Sequence, residues 1–152
     1  MKITLKDGSV KEYEQKKTVI EIAADLSEGL ARVATVGRIN GELVDLRTEV
    51  CEDCELQILT FQDEDGKGAF RHTASHIMAQ AVKRLYPETK LAIGPSVADG
   101  FYYDVDRDTP FTTEDLEKIE KEMKKIVKEA LPIERFTKTR EEAIAFMKER
   151  QE

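Results

Sequence analysis

Four side chains hold most of the site chemistry open to this 152-residue chain: the histidines His72 and His76 and the cysteines Cys51 and Cys54. Two histidines four residues apart on a helix lie about one turn apart on one face, close enough to share a water, a phosphate or a metal ion. An imidazole in water titrates near pH 6.5, so the pair can take a proton from a water molecule at neutral pH where further groups converge. Taking His72 as zero and about 100° per residue, the apolar stripe Ala74, Ile77, Met78, Ala81, Val82 and Leu85 centres near about 200°, with His76 at about 40°. Both imidazoles are therefore predicted to face away from the core. The plain alternative is two exposed helical histidines without a task.

The cysteines admit a second arrangement. Cys51-x2-Cys54 and His72-x3-His76 follow the order of a zinc finger, but 17 residues separate the pairs, where about 12 to 15 are usual. Leu56 to Phe61 has the alternation of a strand, and an acidic stretch intervenes. Cys51 and Cys54 then serve as small packing or turn residues, with a Cys2His2 zinc site as the alternative.

Elements able to position these residues follow from local patterns. Ile3 to Leu5, Asp7-Gly8 and Val10 to Tyr13 spell a hairpin. Thr18 and Glu21 make a capping box for a helix with Val19, Ile22, Ala23 and Leu26 on its apolar face, and Gly29 is expected to close it. Asn40-Gly41 turns a second hairpin between Ala34 to Ile39 and Leu43 to Leu46, and Leu56, Ile58 and Thr60 alternate as a last strand. Residues 63–69, Asp-Glu-Asp-Gly-Lys-Gly-Ala, have the composition of a linker. Beyond them the stripe from Ala74 to Leu85 predicts a helix ended by Pro87. Phe101 to Val105 predicts a strand, and Thr112 with Asp115 caps a helix carrying Leu116, Ile119, Met123, Ile126, Val127 and Ala130. Ile133 to Phe136 is a candidate strand, and Thr139 with Glu142 caps a final helix with Ala143, Ile144, Phe146 and Met147.

Charge and composition narrow the function classes. The chain is 40% hydrophobic and 36% charged, and 24 basic against 31 acidic residues leave a net charge of −7. A general attraction to nucleic acid or anionic lipid is not expected, so any RNA contact must be local. The lysines of the third predicted helix follow Glu114, Glu117 and Glu120 by four residues, the pattern of a solvated face. No apolar run reaches the roughly 20 residues of a membrane span, and the N-terminus lacks a signal-peptide core, so a cytoplasmic location is expected.

Longer motifs connect these observations to a family. Gly37-Arg38-Ile39-Asn40-Gly41-Glu42-Leu43-Val44-Asp45 resembles the TGS domain, a β-grasp, ubiquitin-like module. Arg71-His72-Thr73-Ala74-Ser75-His76, Ala92-Ile93-Gly94-Pro95 and Gly100-Phe101-Tyr102-Tyr103-Asp104 resemble the editing domain of bacterial-type threonyl-tRNA synthetases. The resemblance implies an α+β chain: a β-grasp TGS domain at 1–62, a linker at 63–69, and at 70–152 the N-terminal part of an α/β editing domain. In that family the editing site removes serine wrongly attached to threonine tRNA. His72 and His76 match one histidine pair of that site and Tyr103 matches a pocket-lining, substrate-binding position. The family's later Cys-x3-His pair has no counterpart here, so the site is expected to be a half site.

The same resemblance implies a parent that ligates threonine to tRNA, using ATP, magnesium and a zinc ion in a class II core that this chain lacks. No cofactor is expected within these residues. Partners would be the acceptor end of threonine tRNA and a second copy of the parent, with the fragment itself a monomer or weakly self-associating. A stand-alone TGS module that binds RNA or a protein is the alternative, beside the zinc-binding domain.

Overall fold

The computed structural model describes residues 1–150 and divides into two compact units. Unit 1 comprises Met1–Thr73 with Ser96–Gly100, and unit 2 comprises Ala74–Pro95 with the chain from Phe101 onward.

Unit 1 starts with β1 (Lys2–Leu5) and β2 (Val10–Glu12), an antiparallel hairpin. β3 (Lys17–Thr18) leads into α1 (Val19–Leu26), whose Thr18–Glu21 capping box is formed. Val19, Ile22 and Ala23 are fully buried, as the helical spacing predicts. α1 does not run on to Gly29. It stops at Ser27, whose extended backbone ends one helix while its hydroxyl accepts from the amides of Gly29 and Leu30 to start α2 (Glu28–Val33). A serine that can satisfy orphan amides is a stronger punctuation mark than the glycine two residues later.

β4 (Ala34–Ile39) and β5 (Glu42–Val44) flank the Asn40-Gly41 turn, with φ of 49° and 91° at the turn residues. Positive φ at both positions suits the right-handed twist of a two-residue hairpin. β6 (Glu49–Val50) pairs with β3, a small ladder that the alternation had not revealed. β7 (Cys54–Thr60) is the central strand of a five-stranded sheet in the order β2-β1-β7-β4-β5. It runs parallel to β1, with Ile3 opposite Cys54 and Leu5 opposite Leu56, and antiparallel to β4. Ile3, Val19, Ile22, Val50, Cys54 and Leu56 form the core. Each such aliphatic side chain contributes about 1.5 to 3 kcal/mol by leaving water.

Residues 63–69 differ from the linker expected of them. Glu64 opens α3 (Glu64–Leu85), a single 22-residue helix. Asp63 accepts from the Thr60 amide at 2.9 Å and its own amide donates to the Thr60 carbonyl, which ends β7 and starts the helix in one turn. Glu64 and Asp65 complement the positive end of the helix, and Arg38 on β4 pairs with Asp65. Gly66 serves contact rather than flexibility, since a Cβ there would stand 1.9 Å from the Thr60 carbonyl oxygen.

In unit 2, α3 continues to Leu85 and is followed by β8 (Lys90–Leu91). β9 (Ser96–Val97) counts with unit 1, and β10 (Gly100–Phe101) and β11 (Val105–Asp106) complete the short strands. The expected strand at Phe101 to Val105 is thus broken: residues 102–104 lie between β10 and β11, and only β11 pairs with β8. α4 (Thr113–Glu129) carries the Thr112–Asp115 capping box and buries Ile119 and Ile126 against Ala81 and Val82. Leu116 and Val127, expected on that face, are exposed. Glu120 pairs with Lys124 on the solvated side.

Ile133 to Phe136 forms no strand. Both end residues are more than 60% exposed, and without a neighbouring strand their β-branched and aromatic character has no ladder to join. α5 (Arg140–Glu149) follows with its Thr139–Glu142 box formed, burying no residue.

Asp115 ties α4 to the end of α3. It accepts from the Tyr86 hydroxyl at 2.6 Å and from the Thr112 amide, and Arg107 stacks over the rings of Tyr86 and Phe111 beside it. The Thr112 amide first, then the Tyr86 hydroxyl and the Arg107 charge, lower its carboxyl from the ordinary 3.8 to about 2. A folded-state value below the unfolded one adds stability above about pH 4 that is lost as pH falls toward 2. Asp115→Asn is therefore expected to flatten the pH dependence of unfolding across that window, measured by urea denaturation at fixed pH values. Gly66→Ala is expected to destabilise unit 1 by about 1 to 3 kcal/mol, read as a lower urea midpoint, because the clash is with backbone.

Candidate functional site

His72 and His76 both lie on α3 and both are exposed, as the angular reading of the helix predicts. The division between units falls between Thr73 and Ala74, so His72 belongs to unit 1 and His76 to unit 2. Their four-residue spacing is a property of the uninterrupted helix that carries them.

The residue before each histidine is held. In unit 1, the Arg71 guanidinium donates to the Val97 carbonyl at 3.1 Å and to the Ala98 carbonyl at 2.5 Å. In unit 2, Ser75 is fully buried and its hydroxyl donates to the Gly94 carbonyl at 3.2 Å. A buried hydroxyl without such an acceptor costs about 1 to 3 kcal/mol, so this bond fixes Gly94 against α3 one residue from His76.

Gly94 in turn determines where Tyr103 sits. A Cβ at Gly94 would lie 2.2 Å from Tyr103 Cδ2 and 2.4 Å from Cε2, so the ring is packed directly on the glycine backbone. The Ala92 amide donates to the Asp104 carbonyl at 2.9 Å, and the Asp104 amide to the Ile93 carbonyl at 2.8 Å. These two bonds hold the segments carrying Gly94 and Tyr103 side by side. Ser75 and Gly94 thus enter the site beside the residues that spacing and motif singled out. A small hydroxyl residue between two histidines was the available signal for Ser75, but its acceptor lies 19 residues away and becomes visible only in the fold.

The cysteines play no part in this arrangement. Cys51 is exposed, while Cys54 is buried in β7, where desolvation and then the nearby Glu52 and Asp53 charges push its thiol up. A raised thiol is a poor thiolate ligand or nucleophile. Among the described residues no three His, Cys, Asp or Glu side chains gather so as to hold a metal ion. β7 commits Cys54 to the sheet core.

Comparison with known proteins bears on both units. The TGS domain family matches residues 1–60, and the sheet order with a parallel first and last strand is that of a β-grasp. Residues 1–60 form a TGS domain. Beyond the TGS domain the similarity continues to the last residue. The chain is 62% identical over all 152 residues to the threonine–tRNA ligase of Acetivibrio thermocellus, and 62% identical to that of Clostridium novyi. It is 57% identical to the threonine–tRNA ligase of Caldanaerobacter subterraneus subsp. tengcongensis. The similarity is to the N-terminal region of these ligases. The chain spans 24% of the length of each of these relatives.

The contact of Gly94 with Tyr103 leaves no room for a methyl group. Gly94→Ala is expected to move the Tyr103 ring and to cost about 1 to 3 kcal/mol. The displacement should appear as a shift of the Tyr103 ring resonances in NMR spectra of tyrosine-labelled protein, with the TGS domain resonances unchanged.

Proposed function

We propose that this chain is the N-terminal part of a threonine–tRNA ligase and that its second unit serves hydrolytic editing of threonine tRNA mischarged with serine. The observation that carries the reading is the exposed histidine pair on α3 beside a buried serine, Ser75, that anchors the Gly94 and Tyr103 segment. Identity of 62% along the whole chain to ligases of that name supports it.

The need for such a site is energetic. Serine lacks one methyl group of threonine, and a pocket discriminates one methyl by only about 1 to 3 kcal/mol, so a second hydrolytic step removes what the first accepts. In this reading His72 and His76 hold a water and the ester at the tRNA 3′ end, and Tyr103 lines the pocket for the aminoacyl group. The water oxygen bonds to the ester carbonyl carbon and an imidazole takes its proton. The bond from that carbon to the ribose oxygen breaks, the ribose oxygen receives the proton, and serine leaves as a carboxylic acid that ionises. Placing both reactants on one helix face supplies proximity, and the imidazole supplies general-base catalysis.

Ligation itself, with its ATP, magnesium and zinc, is assigned to other parts of the ligase, as is its pairing into a homodimer. No described helix is long and apolar enough to cross a membrane, and the reading places the ligase in the cytoplasm. In the full-length ligase, His72→Ala or His76→Ala is expected to lower seryl-tRNA deacylation by about 100-fold, so that seryl-tRNA accumulates in a charging assay. Deacylation unchanged in both variants would overturn the assignment.

A further inference from the structure

We infer that Ser75 is a positioning residue for substrate binding: through its bond to the Gly94 carbonyl it sets the Tyr103 ring, and so the pocket that receives the aminoacyl group. The inference rests on the editing reading above, and it adds a specificity-setting chain of contacts to it.

Three observations carry it. Ser75 is fully buried, one of two such polar residues among those described, yet it lies on α3 between two exposed histidines. Its hydroxyl donates to the carbonyl of Gly94, 19 residues along the chain, a contact that reaches beyond the local back-bonding usual for a mid-helix serine. The residue it holds is the one on which the Tyr103 ring rests, with no space for a methyl group between them. Ser75, Gly94 and Tyr103 form a contiguous chain within unit 2, starting at the residue next to His76.

The consequence is a division of labour on adjacent residues. His76 is exposed, whereas Ser75 beside it is fully buried. Ser75 points inward and touches no substrate, but it determines how far Gly94 stands from the helix. Loss of the hydroxyl releases the Gly94 carbonyl, and the ring that rests on Gly94 moves with it. Because Tyr103 lines the pocket without taking part in the bond-breaking step, its displacement weakens binding of the aminoacyl end and leaves the hydrolytic step in place.

The test uses full-length ligase and threonine tRNA charged with serine. Ser75→Ala is expected to raise the KM for deacylation about three- to tenfold with kcat little changed, the pattern of lost uniform binding. A merely structural serine would instead reduce the folded fraction, lowering kcat at unchanged KM, and that result would overturn the inference. Ser75→Cys, nearly isosteric and a weak donor, is expected to fall between wild type and Ser75→Ala in KM, and a Cys variant as impaired as the Ala variant in a fully folded protein would also count against it. In the Gly94→Ala background, where the ring is already displaced, Ser75→Ala should add less than it does alone; full additivity would break the proposed chain. His76→Ala, run in parallel, separates the two readings. If it abolishes deacylation while Ser75→Ala leaves KM unchanged, the editing assignment stands and the positioning role falls. If His76→Ala and His72→Ala both have no effect, both fall.

Discussion

β7 is the strand from which the rest of unit 1 takes its position. It pairs on one side with β1 in parallel and on the other with β4 antiparallel, and it contributes Cys54 and Leu56 to the core. Its last residue, Thr60, exchanges hydrogen bonds with Asp63 and accepts the close approach of Gly66. The sheet and the first turns of α3 are therefore fixed by one segment. Because α3 carries both histidines, the orientation of their helix at its start is set by sheet chemistry rather than by anything at the site itself.

Beyond Thr73 the structure relies on α3 again, by different means. Ala81 and Val82 pack against Ile119 and Ile126, while Arg84 reaches Glu122 and Glu129 and holds α4 along its exposed flank. The salt bridges are partly exposed and add little by themselves, whereas the apolar contact supplies most of the stabilisation. The opposite end of the same helix segment, at Ser75, uses a buried hydrogen bond. Dispersion holds the scaffold and a directional polar contact holds the site, which suits a place where a ring must be set to within a fraction of an ångström.

What was legible in the sequence had its partners nearby along the chain. The Thr18–Glu21, Thr112–Asp115 and Thr139–Glu142 boxes, the Asn40-Gly41 turn and the outward aspect of His72 and His76 each depend on residues within one or two turns. What was not legible needed a distant partner. Residues 63–69 resemble a linker until the Thr60 carbonyl gives Gly66 its reason. Phe101 to Val105 has strand composition, but its two ends join different ladders, β10 with β9 and β11 with β8, leaving Tyr103 between strands and against Gly94. Ile133 to Phe136 has the residues of a strand but adopts none, and the Phe136 ring packs instead on Phe146 of α5. At the site, the histidines were visible by spacing, whereas Ser75 acquired its meaning from an acceptor elsewhere in the chain.

The parallel pairing of β1 with β7 has a bearing on biosynthesis. The first strand must wait for a partner that begins at Cys54, so the sheet cannot close until nearly the whole of residues 1–60 has left the ribosome. At about 5 to 20 residues per second the synthesis from Glu12, where the hairpin is complete, to Thr60 takes roughly 2 to 10 s, during which the β1–β2 hairpin presents an unpaired edge. Lys2, beside Ile3 in β1, and Lys11 in β2 put positive charge on that waiting hairpin, a common means of discouraging edge-to-edge association. In relatives four times as long as this chain, closure of the sheet would come early, and a folded N-terminal unit would emerge ahead of most of the polypeptide.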